Sequence, residues 1–86
     1  MNEISNEDWS VYLVLCLDGS LYTGVTNDIE KRMLVHKSGK GSKYVRAKGF
    51  DRLLAVKYCA DKVMAMKYEY FIKHLPRAEK INWFKL

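Results

Sequence analysis

Residues 9–36, WSVYLVLCLDGSLYTGVTNDIEKRMLVH, decide the fold. Two apolar, β-branched runs flank Asp18-Gly19, the pattern of a β-hairpin. The first strand is read from Ser10 to Leu17 and the second from Ser20 to Val25. The chain then passes through Thr26-Asn27 into a helix. Asn27 can cap the free amides while Glu30 reaches back, and the helix runs to about Ser38 before Gly39 stops it. Each strand carries one tyrosine, Tyr12 and Tyr22, and the helix carries Arg32 and His36. Four groups able to handle a phosphate or a proton thus come from one compact ββα unit.

The hairpin register matters because side chains alternate between the faces of a sheet. A two-residue Asp18-Gly19 turn sets Leu15 opposite Tyr22 and puts the tyrosines on opposite faces. A three-residue loop, Leu17-Asp18-Gly19 with a left-handed Gly19, sets Val14 opposite Tyr22 and makes the tyrosines diagonal neighbours. Joint action on one substrate requires the second arrangement. On a helical wheel Arg32 and His36 share an arc with Ile29 and Met33, where apolar residues are expected.

Outward from this unit, residues 1–8 form a polar arm expected to be flexible, and residues 9–86 form a single domain. Ser38-Gly39-Lys40-Gly41-Ser42-Lys43 reads as a basic loop, followed by a short element around Tyr44 to Lys48. Arg52 to Cys59 reads as a third strand. Asp61 caps a helix from Lys62 to about His74, and Pro76 opens a last short helix ending near Phe84. The helix after Asp61 is apolar nearly all round, through Val63, Met64, Met66, Tyr68, Tyr70, Phe71 and Ile72, and so is expected to be covered on two sides. The order ββ-α-β-α-α implies an α+β fold, a small three-stranded antiparallel sheet flanked by helices.

Eighty-six residues leave room for one core. The net charge of +5 is uneven: Lys31 to Lys57 holds nine Lys or Arg against the single acid Asp51. Such a block suits a polyanion, nucleic acid first and an anionic membrane second, although a solvated basic face would read the same way. Cys16 and Cys59 have neither CxxC spacing nor a paired histidine, which argues against a zinc site or a disulfide framework and for free thiols in a reducing cytosol. No apolar run approaches membrane-spanning length, and the acidic N-terminus is no signal peptide. The expected setting is soluble and cytoplasmic.

Taken in order, Ser10-Val11-Tyr12, Tyr22-Thr23-Gly24, then Thr26, Asp28, Arg32 and His36, then Gly41-Ser42-Lys43-Tyr44-Val45-Arg46, and last Ala65, Glu69, Ile72 and Lys73, make a set that resembles the GIY-YIG nuclease superfamily. The likeness is to its short, stand-alone bacterial branch and covers Trp9 to Phe84. Serine stands at position 10 where the first motif has glycine, and threonine at 23 where the second has isoleucine. The resemblance implies a GIY-YIG-like fold and metal-dependent endonuclease activity on nucleic-acid phosphodiesters. It implies Glu69 as the carboxylate for one divalent ion, Mg²⁺ or Mn²⁺, and Tyr12 as the group that activates water. Tyr22 would join the proton and phosphate network, Arg32 would bind the phosphate, and His36 would orient the network or share in proton transfer. Lys40, Lys43, Tyr44, Arg46 and Lys48 would hold the polyanion, DNA before RNA. So small a catalytic module should bind weakly and depend on salt, or else take its targeting from a protein partner.

Each residue has a plainer reading. Strand tyrosines commonly pack, Glu69 and Lys73 make an ordinary i,i+4 pair, Arg32 could pair with Asp28, and loop lysines are commonly solvated. Together these give the alternative of a non-catalytic nucleic-acid-binding or repair-accessory module. The ordered set favours the nuclease.

Overall fold

The computed structural model describes residues 9–85. The expected N-terminal arm, residues 1–8, lies outside the described residues. The chain forms β1 (Ser10–Cys16), β2 (Leu21–Thr26), α1 (Ile29–Lys37), α2 (Lys43–Lys48), β3 (Phe50–Tyr58), α3 (Lys62–Lys73) and α4 (Arg77–Trp83). The three strands make one antiparallel sheet in the order β2-β1-β3, with helices against it. The fold is α+β, as the sequence implies. Its order is ββααβαα rather than ββαβαα, because the short element after the basic loop is a helical turn. Ser42 caps that turn by accepting from the Val45 N–H, and Gly49 closes it with an N–H to the Val45 carbonyl.

The hairpin takes the three-residue loop. The Gly19 N–H donates to the Cys16 carbonyl and the Cys16 N–H to the Ser20 carbonyl, with Gly19 at φ +88. Only glycine holds that angle without strain. Val14 therefore lies opposite Tyr22 and Tyr12 opposite Gly24. On the other side β1 pairs with β3 through two irregularities, which let nine residues of β3 run beside seven of β1. This is why β3 begins at Phe50, two residues before the sequence suggests.

The helix cap corrects the sequence reading by one position. Asp28, not Asn27, caps α1 and accepts from the Lys31 N–H. The Thr26 hydroxyl accepts from the Asp28 N–H, which holds Asp28 where its carboxylate meets the helix. Asp61 caps α3 as expected.

Tyr12, Val14 and Cys16 point to one face of the sheet, where Val45, Ile29, Met33 and Phe50 close over them. Val11, Leu13 and Leu21 are buried on the other face, where α3 packs on β1 and β2 through Ala65 and Ile72. Each such large apolar side chain stabilises the fold by about 1.5–3 kcal/mol relative to exposure. The two-sided cover expected for α3 is absent among the described residues. Val63, Met66, Tyr70 and Phe71 stay 49–71% exposed, because the seven-residue α4 packs only near Tyr68 through Trp83.

Candidate active site

The site is built from the hairpin outward. With the phenols on one face, the Tyr12 and Tyr22 rings lie 6.2 Å apart. A Cβ on Gly24 would sit 2.5 Å from the Tyr12 hydroxyl, so the missing side chain is what lets the phenol lie across β2. His36, on the inner side of α1, brings Nε2 to 2.9 Å from that hydroxyl, and Arg32 Nε donates to it over a longer 3.4 Å. The imidazole stacks on Phe50 and is 2% exposed. A Cβ on Gly41 would come 2.2 Å from His36 Nδ1, so the basic loop covers the imidazole with bare backbone.

Burial sets the protonation states. Desolvation pushes the Tyr12 phenol up to about 12, against the opposing pull of the Arg32 hydrogen bond. His36 is held down near 4, by burial first and by the Arg32 charge second. The hydrogen bond to Tyr12 raises Arg32 further above its ordinary value. At neutral pH the centre is therefore a neutral phenol, a neutral imidazole and a guanidinium.

Nδ1 is buried without a partner. With the imidazole proton on Nδ1, that N–H is orphaned and the Tyr12 hydroxyl donates to Nε2; with it on Nε2, the Tyr12 oxygen accepts and the buried phenol O–H loses its acceptor. In both cases Arg32 Nε–H donates to the Tyr12 oxygen.

Glu69 arrives from α3, on the opposite face, beside the edge strand β2. It pairs with Lys73 at 3.3 Å, and the Lys73 ammonium lies 5.7 Å from the centre of the Tyr22 ring. The Glu69 charge is near enough to Tyr12 to add to the upward push on the phenol. Among the described residues no three His, Cys, Asp or Glu side chains cluster. One partly open carboxylate among phenols suits a hard cation that keeps most of its water, as Mg²⁺ does.

The residues expected to hold the polyanion divide. Lys40, Lys43 and Arg46 are exposed on the loop and α2. Lys48 turns instead to Asp18, at 3.4 Å, and to the Tyr44 ring. Tyr44 stacks on Tyr22 with ring centres 5.9 Å apart, which joins it to the centre itself. One neighbour of the centre carries no role in the sequence reading. Lys73 is signalled by its i,i+4 spacing from Glu69 and by its place in the ordered motif set, neither of which says what it does.

Residues 8–82 match the family model of the GIY-YIG catalytic domain. The chain is 49% identical over 77 residues to a UPF0213 protein of Oceanobacillus iheyensis, covering 90% of each. It is 51% identical over 74 residues to a UPF0213 protein of Bacillus cereus, covering 86% of this chain and 77% of that one. The solution NMR structure of a UPF0213 protein from Bacillus halodurans superposes with a TM-score of 0.56 at 45% identity, covering 88% of this chain and 81% of that one.

Proposed function

Because the chain belongs to the GIY-YIG catalytic domain family, a nuclease superfamily, we propose that it is a metal-dependent endonuclease hydrolysing nucleic-acid phosphodiester bonds, DNA before RNA. The observation that carries this reading is the Tyr12 hydroxyl held by His36 Nε2 at 2.9 Å and Arg32 Nε at 3.4 Å. Packing alone gives no reason to point a guanidinium and an imidazole at one buried phenol oxygen.

A phosphodiester repels anionic nucleophiles, so hydrolysis needs positive charge at the phosphate and a base made on site. Arg32 commits Nε to Tyr12, which leaves its two terminal nitrogens as a fork for phosphate oxygens. The Arg32 N–H on the Tyr12 oxygen favours its phenolate form, opposing the burial that holds the proton on. A divalent ion carried by Glu69, Mg²⁺ or Mn²⁺, would supply further positive charge for both the phosphate and the phenolate. Tyr12 takes the proton of the attacking water as phenolate, its own phenol proton having first passed to solvent, while neutral His36 holds the phenol oxygen in place. Tyr22 and Arg32, both half-buried, are the parts of the centre open to solvent and so to a phosphate. Lys40, Lys43 and Arg46 hold the strand through its backbone, mostly without reading sequence.

The test compares wild type with Arg32→Lys and Glu69→Gln on labelled single- and double-stranded DNA and RNA, with Mg²⁺ or Mn²⁺. Each variant is expected to lose about a hundredfold or more in rate, the cost of removing one group that meets transition-state charge. Equal cleavage by all three proteins would refute the assignment.

A further inference from the structure

A shallow groove of about 440 Å³ runs along the free edge of β2, lined by Leu21, Tyr22, Thr23, Tyr44, Lys73 and Lys80. We propose that this groove makes the protein a reader of single strands, with one unpaired base lying on the Tyr44 ring beside the reaction centre. The proposal rests on the nucleic-acid reading above for the class of ligand, and adds its strandedness.

Tyr44 is not needed as core. Its neighbour Val45, 1% exposed, anchors α2, whereas Tyr44 keeps 40% of its surface. Its ring nevertheless has a fixed place, stacked on Tyr22 at 5.9 Å with 29° between the planes; the Lys48 ammonium lies 5.5 Å from its centre, and a base on the ring would displace that flexible side chain. Tyr22 is in turn 6.2 Å from Tyr12. An aromatic shelf therefore begins one ring away from the phenol that handles the proton. Ring faces recognise base faces, and in a duplex those faces are covered by neighbouring pairs. Only a base released from its stack can use the shelf.

The polar lining fits the same ligand. Lys80 is fully engaged, its ammonium donating to the carbonyls of Ile72, Lys73 and Leu75, so it shapes the wall rather than meeting a phosphate. Arg77 donates to the Gly19 carbonyl and ties the start of α4 to the hairpin loop. Lys73 remains partly exposed above Tyr22 and is placed to meet backbone charge.

The test is binding without chemistry. Fluorescence anisotropy in EDTA would follow a fluorescein-labelled dT12 strand, a duplex of the same length, and a twelve-residue abasic strand. The single strand should bind at least tenfold tighter than the duplex. Tyr44→Ala should weaken dT12 by about tenfold, the loss when one base gives up its aromatic partner, whereas Tyr44→Phe should keep wild-type affinity. The abasic strand should bind weakly and equally to wild type and Tyr44→Ala. The shelf is refuted by a duplex that binds as tightly as dT12, by an abasic strand that matches dT12, or by a Tyr44→Ala variant that melts normally and binds dT12 unchanged. Failure of the nuclease reading looks different: dT12 binding that needs Tyr44, with no cleavage on adding Mg²⁺ or Mn²⁺. Cleavage by wild type, with dT12 binding indifferent to Tyr44, would remove the shelf and leave the nuclease.

Discussion

Lowering the pH should destabilise this domain through His36 before most carboxylates are protonated. The imidazole is 2% exposed, faces Tyr12 and Arg32, and is held near 4 rather than 6.5. Above pH 6.5 it is neutral in the folded and unfolded chain alike, and its contribution to stability is whole. Between pH 6.5 and about 4 the unfolded chain binds a proton that the folded one excludes, so stability falls as pH falls. At 1.36 kcal/mol for each pH unit of separation, the gap amounts to at most about 3 kcal/mol. A domain of this size is held by only about 4–13 kcal/mol in total, so the loss is a large share. Urea midpoints at pH 7.5, 5.5 and 4.5 would measure it, with His36→Gln as the control that isolates this group from carboxylates titrating below about 5. Wild type should lose stability across that range more steeply than the variant, and the His36 ring protons should show no NMR titration until well below pH 6. Matching acid slopes for both proteins, or a folded-state His36 titrating near 6.5, would refute the reasoning.

Gly24→Ala places a methyl 2.5 Å from the Tyr12 hydroxyl and 2.9 Å from the Tyr22 ring, so the rings must part. Overpacking of this kind costs about 1–3 kcal/mol, or a fall of about 5–20 °C in melting temperature; an unchanged thermal melt would show that the rings are not held as described. Lys80→Met removes an ammonium that donates to three carbonyls at the end of α3. The expected loss is about 1.5–3 kcal/mol by urea unfolding, largely restored in Lys80→Arg, and a change under about 0.5 kcal/mol would reject the role.

The elements were legible in the sequence because local chemistry agrees with the final fold at most positions. Asp61 caps, Gly39 stops and Pro76 starts where single residues have one strong preference. The hairpin register was not, since the same Leu17-Asp18-Gly19 residues serve either loop. The choice lies in the pairing of Cys16 with Ser20 and in how the strands bury Tyr12. The α1 cap slipped by one residue because Asn27 and Asp28 are both able caps, and a third residue, Thr26, decides between them. Lys48 was grouped with the basic face because its partner, Asp18, is thirty positions away. The two meet because the hairpin loop abuts the end of α2, with the Leu17 N–H donating to the Gly49 carbonyl. The exposed side of α3 misled for another reason. An apolar helix surface states what could be covered, and the described residues hold no second layer to cover it.

The conflict in α1 is the most informative feature of the sequence. A helix that closes a core is expected to turn an apolar stripe inward, yet this one turns Ile29, Arg32, Met33 and His36, and its one fully buried residue is the histidine. Local rules broken without structural gain point to a site. Here the structure adds where the gain lies. The two polar residues meet the same phenol oxygen from α1, while glycines at 24 and 41 remove the side chains that would otherwise fill the space around it. A tyrosine in the central strand, wholly buried, would ordinarily be packing and nothing else. It becomes a candidate for chemistry because its neighbours withhold bulk and set an imidazole and a guanidinium against its oxygen. That arrangement costs an unpaired Nδ1 and a neutral histidine, both of which a core built only for stability would avoid.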